Sequence, residues 1–453
     1  MPTLPLIAHR TLDAIVAWRN GTPISARQFL SEVDYVVSLL PQGRHVLNLC
    51  SDRYRFAVSL AACIVSGRIS LLPSTHTAET VRQMQRISPD VFCITDHENG
   101  GADLPTFRYP ESVPAPAANP AIPAIECDQV IAEVFTSGSS GLPVPHTKRW
   151  GSLVKNARAE AERLGVNTTH AILGTVPPQH MYGLESTVLM PWQSGAALHA
   201  GHPFYPADIC AQLAELPRPR MLVTTPFHLR TLLTDQATLP AVDQLLSATA
   251  PLSQALALEA EARFGAPLHE IYGCTETGQI ASRRTATDTE WHTLPNVLLG
   301  RGAEHLWAEG GHIDVPTPLS DVIEPLGAGP KWTHFLLHGR HADLVNIAGK
   351  RTSLAYLNHQ LNAIPGVLDG VFLQPDTTHT EGVGRLTALV VAPGLTPAAL
   401  TQALRERIDP IFLPRPLLFV DTLPRNATGK LPDQMARNLL ASLQAQPANR
   451  VPS

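Results

Sequence analysis

Charge is scarce in this chain. Charged residues make up 16% of its 453 residues, and the formal net charge of −5 leaves no basic excess. That gives no reason to expect nucleic acid or an anionic membrane surface as a partner. No apolar run reaches transmembrane length, and the first residues lack the basic start and apolar stretch of a secretory signal. Cysteine is sparse as well. Cys50, Cys63, Cys93, Cys127, Cys210 and Cys274 are scattered with no CxxC pair, which fits reduced thiols in a cytoplasmic protein better than a disulfide framework or a zinc site. The Gly-Lys-Ser/Thr ending of a Walker A loop is missing too, so a P-loop kinase is excluded. Internal repeats and low-complexity segments are not evident.

Length and apolar content set the frame for what is present. A chain this long with 44% hydrophobic residues is expected to be globular and to divide into two or more domains. Short apolar runs at 45–50, 69–73 and 90–95 alternate with helical patterns at 55–66 and 80–87. This alternation predicts parallel sheets covered by helices. The proline-rich stretch 105–123 reads as a surface connector. Strands are expected at 171–176 and 220–225, and helices at 152–164, 226–233 and 253–264. Past residue 340 the pattern changes to strands at 366–374 and 385–392, with a helix opened by Thr396 as N-cap and Pro397 in its first turn. A small α+β domain is therefore expected over 341–453, after a large α/β domain of parallel or mixed sheets over 1–340.

The densest chemical signal follows the apolar run 130–135. Thr136, Ser137, Gly138, Ser139, Ser140 and Gly141 set hydroxyls and glycines directly after a strand. Glycine lets the backbone approach an anion closely, and hydroxyls with free N–H groups can surround phosphate oxygens.

Three further motifs follow in order: IYGCTETG over 271–278, GRHADLVNIAGKR over 339–351 and LPRNATGKL over 423–431. With the Ser/Gly loop, they make the chain resemble the adenylate-forming superfamily of acyl- and aryl-CoA synthetases, carrier-protein ligases and luciferases. The resemblance runs from about residue 130 to the C-terminus. It implies that the first loop wraps the phosphates of ATP. It implies further that Tyr272 and Gly273 lie against adenine, Thr275 touches phosphate, and Glu276 binds Mg²⁺, for which a hard oxygen ligand is suited. Asp321 stands where the family grips the ribose, although Leu319 and Ser320 replace the usual preceding residues. Arg340 is expected at ribose or phosphate, where its fork can make paired hydrogen bonds. Lys430 would bridge the attacking carboxylate and the α-phosphate. The small domain is expected to be mobile, bringing Gly349, Lys350 and Arg351 to the thiol side after the adenylate forms. Ala342 stands where the hinge usually has aspartate.

His180, in a Pro-Pro-Gln-His segment, falls between the acid pocket and the thiol tunnel of the family. The expected pocket residues are His180, Tyr182, Gly183, Thr225, Phe227, Ala248, Thr249 and Ala250. No acidic residue follows Tyr182 in good register, Glu185 being a poor match, so an α-amino acid substrate is disfavoured because a buried ammonium needs a partner. The set suits a compact hydroxylated aromatic acid, activated with ATP and Mg²⁺ and passed to CoA or to the phosphopantetheine of an acyl carrier protein. Size and motif style also resemble the hydroxybenzoate ligases of aryl-polyene and xanthomonadin pigment clusters. Two rival readings are a short- or medium-chain acyl-CoA synthetase and a non-catalytic descendant. The latter is suggested by Val144, which stands where the family's phosphate loop has lysine; Lys148 or Arg149 would have to supply that cation instead.

Overall fold

A computed structural model describes residues 1–73, 75–97, 104–137, 143–234, 238–302, 305–340, 344–347, 350–374, 385–426 and 431–445. The first sheet has six strands in the order Pro143–Arg149, Val130–Ser137, Ile69–Leu72, His45–Asn48, Phe92–Thr95 and Thr106–Arg108. Its strands pair in parallel except at the hairpin of Val130–Ser137 with Pro143–Arg149, which carries the Ser/Gly loop. The short strand Thr106–Arg108 lies inside the proline-rich stretch, so that segment is not wholly a connector. Its proline-free residues pair with Phe92–Thr95 and extend the sheet edge.

A second sheet of eleven strands carries a parallel run of Leu268–Cys274, Gln244–Ser247, Arg220–Thr224, Ala171–Gly174, Ala197–His199 and Ile15–Arg19, flanked by antiparallel strands. Most of these strands are buried on both faces, as a parallel sheet between helices requires. Helices Ala26–Leu39, Arg53–Val65 and Trp150–Leu164 contribute to the core beneath the first sheet, with Trp150, Trp192, Phe29 and Phe56 fully buried. A four-stranded antiparallel sheet, Ile313–Pro318, Leu306–Gly310, Leu298–Arg301 and Lys331–Trp332, completes the large part of the chain.

The two large sheets are joined by one buried guanidinium. Arg53 donates to the carbonyl oxygens of Gly174 at 2.7 Å and Val176 at 3.1 Å, and also to Thr187 Oγ1. It is fully buried. Arg53 opens a helix of the first sheet's layer, whereas its acceptors belong to the second sheet, to the segment leading to His180 and to the helical turn Glu185–Leu189 that follows it.

Beyond residue 350, helices Leu354–Asn362 and Pro397–Arg405 pack on a sheet of Asp369–Leu373, Thr387–Val391 and Leu417–Phe419. Thr396 caps the second helix through a bond from Ala399 N, as its sequence predicts. The fold is thus a mixed α/β body with a small C-terminal α+β unit. Asp369 of this unit takes a paired contact from Arg425 at 2.6 Å, and Arg230 of the large body lies 4.0 Å away. The expected boundary at 341–343 lies outside the described residues.

Candidate active site

Strand Leu268–Cys274 ends the parallel run and turns back into Gly278–Arg283. The turn between them can form because Gly273 has no side chain; a Cβ there would meet the Gly278 carbonyl at 2.2 Å. The strand therefore delivers Tyr272, Thr275 and Glu276 to one edge.

Tyr272 packs edge-on against Trp291 and Phe335, with ring centroids 5.7 and 5.9 Å away. Its hydroxyl donates to Asp321 Oδ2 at 2.5 Å. Asp321 in turn is the cross-strand partner of Arg340, so three of the expected nucleotide residues meet at one corner. The side chain of Arg340 lies outside the described residues, as do those of Thr136, Ser137, Lys350 and Arg351. The backbone of Thr136 and Ser137 continues the strand that was expected to end at 135, Arg340 ends its strand, and Lys350 and Arg351 open theirs. Gly138, Ser139, Ser140, Gly141, Gly349 and Lys430 lie outside the described residues altogether.

Glu276 is exposed at the tip of its turn. Burial works to raise its pKa, but hydrogen bonds from Cys274 and its own backbone, with His146 and Lys148 nearby, hold the carboxyl below the ordinary value. His146 Nε2 stands 3.8 Å from Glu276 Oε1. An ionised, exposed oxygen donor on a braced turn fits Mg²⁺, which takes one or two carboxylates and completes its shell with phosphate oxygens and water. Burial raises the thiol pKa of Cys274, and its Sγ lies 3.1 Å from Thr277 Oγ1.

The expected acid-pocket residues converge at the carboxyl ends of the parallel strands, where open α/β sheets bind ligands. Tyr182 reaches across two strands and donates to the carbonyls of Thr224 and Leu246, both at 3.1 Å. Gly183 sits where a Cβ would meet the Pro177 carbonyl at 2.0 Å, which fixes glycine at that turn. His180 precedes the helical turn Met181–Leu184, and the helix widens to a π-turn over Glu185–Leu189. Ala248 is buried, and Thr249 stands at φ 78. That left-handed backbone favours glycine and strains a β-branched residue.

Two histidines that the sequence reading did not select join this group. His228 Nδ1 lies 3.0 Å from Thr225 Oγ1 and 3.1 Å from Thr175 Oγ1, so the hydroxyl of Thr225 is engaged by His228. His202 Nε2 lies 3.1 Å from the Thr175 carbonyl. Burial pushes His228 down to about 4 and His202 to about 3, so both are neutral imidazoles at neutral pH. Among the described residues, His228 Nε2 is buried with no hydrogen-bond partner. The signal that could have found His228 is its place two residues after Pro226, on the first turn of a helix that starts at a strand end.

Lys148 and Arg149 do not stand in as a free cation at the loop. Arg149 Nη1 donates to the Asp128 carbonyl, and Lys148 is buried against the turn that carries Glu276. Beneath that turn lies a polar cavity of about 200 Å³, whose lining includes Lys148, Asn156, Glu185, Glu276, His312 and Asp314. Glu185 accepts from Asn156 Nδ2 at 3.2 Å inside it, and burial lifts its pKa to about 8.

The chain matches the model of the AMP-binding enzyme family over residues 8–301. It belongs to that family. Its members are acyl-adenylate-forming acid–thiol ligases, and this chain is an enzyme of that kind. It is 31% identical over 309 residues to a 4-coumarate–CoA ligase of Rhodobacter capsulatus, covering 66% of this chain and 74% of that one. A 3-hydroxybenzoate/4-hydroxybenzoate–CoA ligase of Thauera aromatica is 23% identical over 69% of this chain and 67% of its own. The fold also superposes on the o-succinylbenzoate–CoA synthetase of Bacillus subtilis in complex with its acyl-adenylate, with a TM-score of 0.80 at 17% identity over 97% and 98% of the two chains.

Proposed function

We propose that this ligase activates a small, hydroxylated aromatic carboxylic acid with ATP and passes it to a phosphopantetheine thiol, on CoA or an acyl carrier protein. The observation that carries the first half is the bond between Tyr272 and Asp321, near the end of the strand whose turn presents Glu276. The order of these groups matches a nucleotide laid out from base to phosphate. Tyr272 offers its ring to adenine, Asp321 accepts from ribose hydroxyls, and Glu276 with His146 faces the phosphates. Glu276 would hold Mg²⁺, which when bound offsets the charge of the triphosphate. Thr136 to Gly141 would cradle phosphate, Arg340 would meet ribose or phosphate, and Lys430 would neutralise charge as pyrophosphate leaves.

The aromatic acid rests on the group at the strand ends. Tyr182, Phe227, His180 and the alanines leave compact, flat surroundings, and two neutral imidazoles offer hydrogen bonds without charge. The unpartnered Nε2 of His228 is costly to bury, about 1–3 kcal/mol for an unmet donor or acceptor. A ring hydroxyl both donates and accepts, so it satisfies either tautomer. The coumarate and hydroxybenzoate ligases among the relatives support the same substrate class, as does the resemblance to pigment-cluster ligases. Glu185 is held by Asn156 in the cavity beneath the Glu276 turn, which supports a substrate without an ammonium group.

ATP–pyrophosphate exchange tests the reading across benzoates, cinnamates, fatty acids and amino acids. Hydroxybenzoates are expected to support exchange at least tenfold better than benzoate, and His228→Phe to erase that preference while retaining exchange with benzoate. Exchange with none of these acids would sink the ligase assignment. A preference for fatty acids would instead favour the acyl-CoA synthetase reading.

A further inference from the structure

Side chains alternate along a strand, so Val144, His146 and Lys148 share one face of Pro143–Arg149. Val144 at the loop end is 43% exposed, whereas Lys148 at the other end is 8% exposed. The two positions are about 13 Å apart along an antiparallel strand. The cation on this face is thus too far back to act in Val144's place, and its bonds show where it is used instead.

The Lys148 ammonium donates to the carbonyl oxygen of Thr275, and to that of Glu276 at 3.3 Å. From the other side, His312 Nε2 lies 3.0 Å from the Thr277 carbonyl. The turn is therefore gripped through its backbone by side chains from two separate sheets. Burying an ammonium is expensive unless it is compensated. Burial lowers the Lys148 pKa, and the acidic groups of Glu185, Cys274 and Glu276 offset only part of that cost. A methionine could fill the same space without that cost, so the hydrogen bonds to the two carbonyls are what this position gains from lysine.

We propose that Lys148 is a positioning residue for the Mg·ATP site. By holding the carbonyls of Thr275 and Glu276, it fixes the direction in which the Glu276 carboxylate is presented and ties that turn to the strand that follows the Ser/Gly loop. That strand and the metal-facing carboxylate then keep one register without a lysine at 144. This inference rests on the reading of Glu276 as the magnesium ligand.

Calorimetric titration without any acid substrate tests it. Wild type, Lys148→Met and Glu276→Gln are each titrated with ATP in excess Mg²⁺ and with ATP in EDTA. Lys148→Met is expected to weaken Mg·ATP binding about tenfold and to change metal-free ATP binding less than twofold. Where the Met variant does not fold, by circular dichroism, Lys148→Gln carries the test, because it keeps an amide donor in the same space; it is expected to fall between wild type and a full loss. Equal weakening of both titrations, or no change in either, overturns the role of Lys148. If Glu276→Gln binds Mg·ATP as wild type does, the ligand assignment of Glu276 fails, whatever Lys148 does.

Discussion

The hydroxyl of Tyr272 donates to the carboxylate of Asp321 across 2.5 Å, joining the end of one strand to the start of another 49 residues later in the chain. The bond is charge-assisted. It fixes the tyrosine ring and the acid as one unit, which is what a site needs to bind base and sugar together.

Tyr272→Phe and Asp321→Asn are each expected to raise KM for ATP about tenfold, the scale of one hydrogen bond to a charged group, and to leave KM for the acid unchanged. The double variant should lose less than the product of the two effects, because neither residue holds its position without the other. Steady-state exchange kinetics on the four proteins measure this, and strictly multiplicative losses would show that the two residues act independently.

Lys430→Ala is expected to slow adenylate formation by at least about a hundredfold, the scale of losing one group aimed at developing charge. Thiol transfer from a supplied acyl-adenylate should stay within a few-fold of wild type. Pyrophosphate exchange and single-turnover thioester formation, run side by side, separate the two steps; parallel losses would remove Lys430 from its assigned role.

Thr249 carries a positive φ of 78. Holding a β-branched residue there costs about 1–3 kcal/mol, more than the roughly 0.5–1 kcal/mol of chain entropy that glycine adds. Thr249→Gly should therefore raise Tm, and by removing a side chain at the pocket it should improve exchange with cinnamates relative to benzoates. A lower Tm would show that the threonine side chain contributes more than its backbone costs.

Glu160 is fully buried, with Ser186 Oγ donating to Oε1 at 2.5 Å, and burial raises its pKa to about 8. The native state therefore holds a proton that the unfolded chain releases near its ordinary value of about 4.3. Stability consequently falls as pH rises from the unfolded value through about 8, and the full loss is present above that. Glu160→Gln, which mimics the neutral acid, should leave Tm nearly unchanged at low pH and raise it clearly at high pH. Thermal denaturation across that range gives the difference curve, and a flat difference would contradict the buried proton.

Much of this architecture could be read from local pattern. The strands near 45, 69, 92, 171 and 220 and the helices between them follow apolar periodicity, and Thr396 announced its helix by cap chemistry. Glu276, Asp321 and Tyr272 could be named as candidates because their motifs are local in sequence. What escaped was set by distance. His146 and Lys148 matter because a hairpin brings them to a turn more than a hundred residues later, and nothing in their own segment indicates it. His228 had a local signal in its place on the first helical turn after a strand, but its pairing with Thr175, from another strand, had none. The strand Thr106–Arg108 was hidden because prolines on both sides masked three residues at a sheet edge.

Arg53 gives the molecule its division of labour. Parting the segment around His180 from the first sheet would break the hydrogen bonds of a buried guanidinium, each worth about 1.5–3 kcal/mol. Arg53 therefore couples the melting of the two great sheets. The floor beneath the strand ends is in effect masonry, so any rearrangement this protein makes falls to parts outside those coupled sheets.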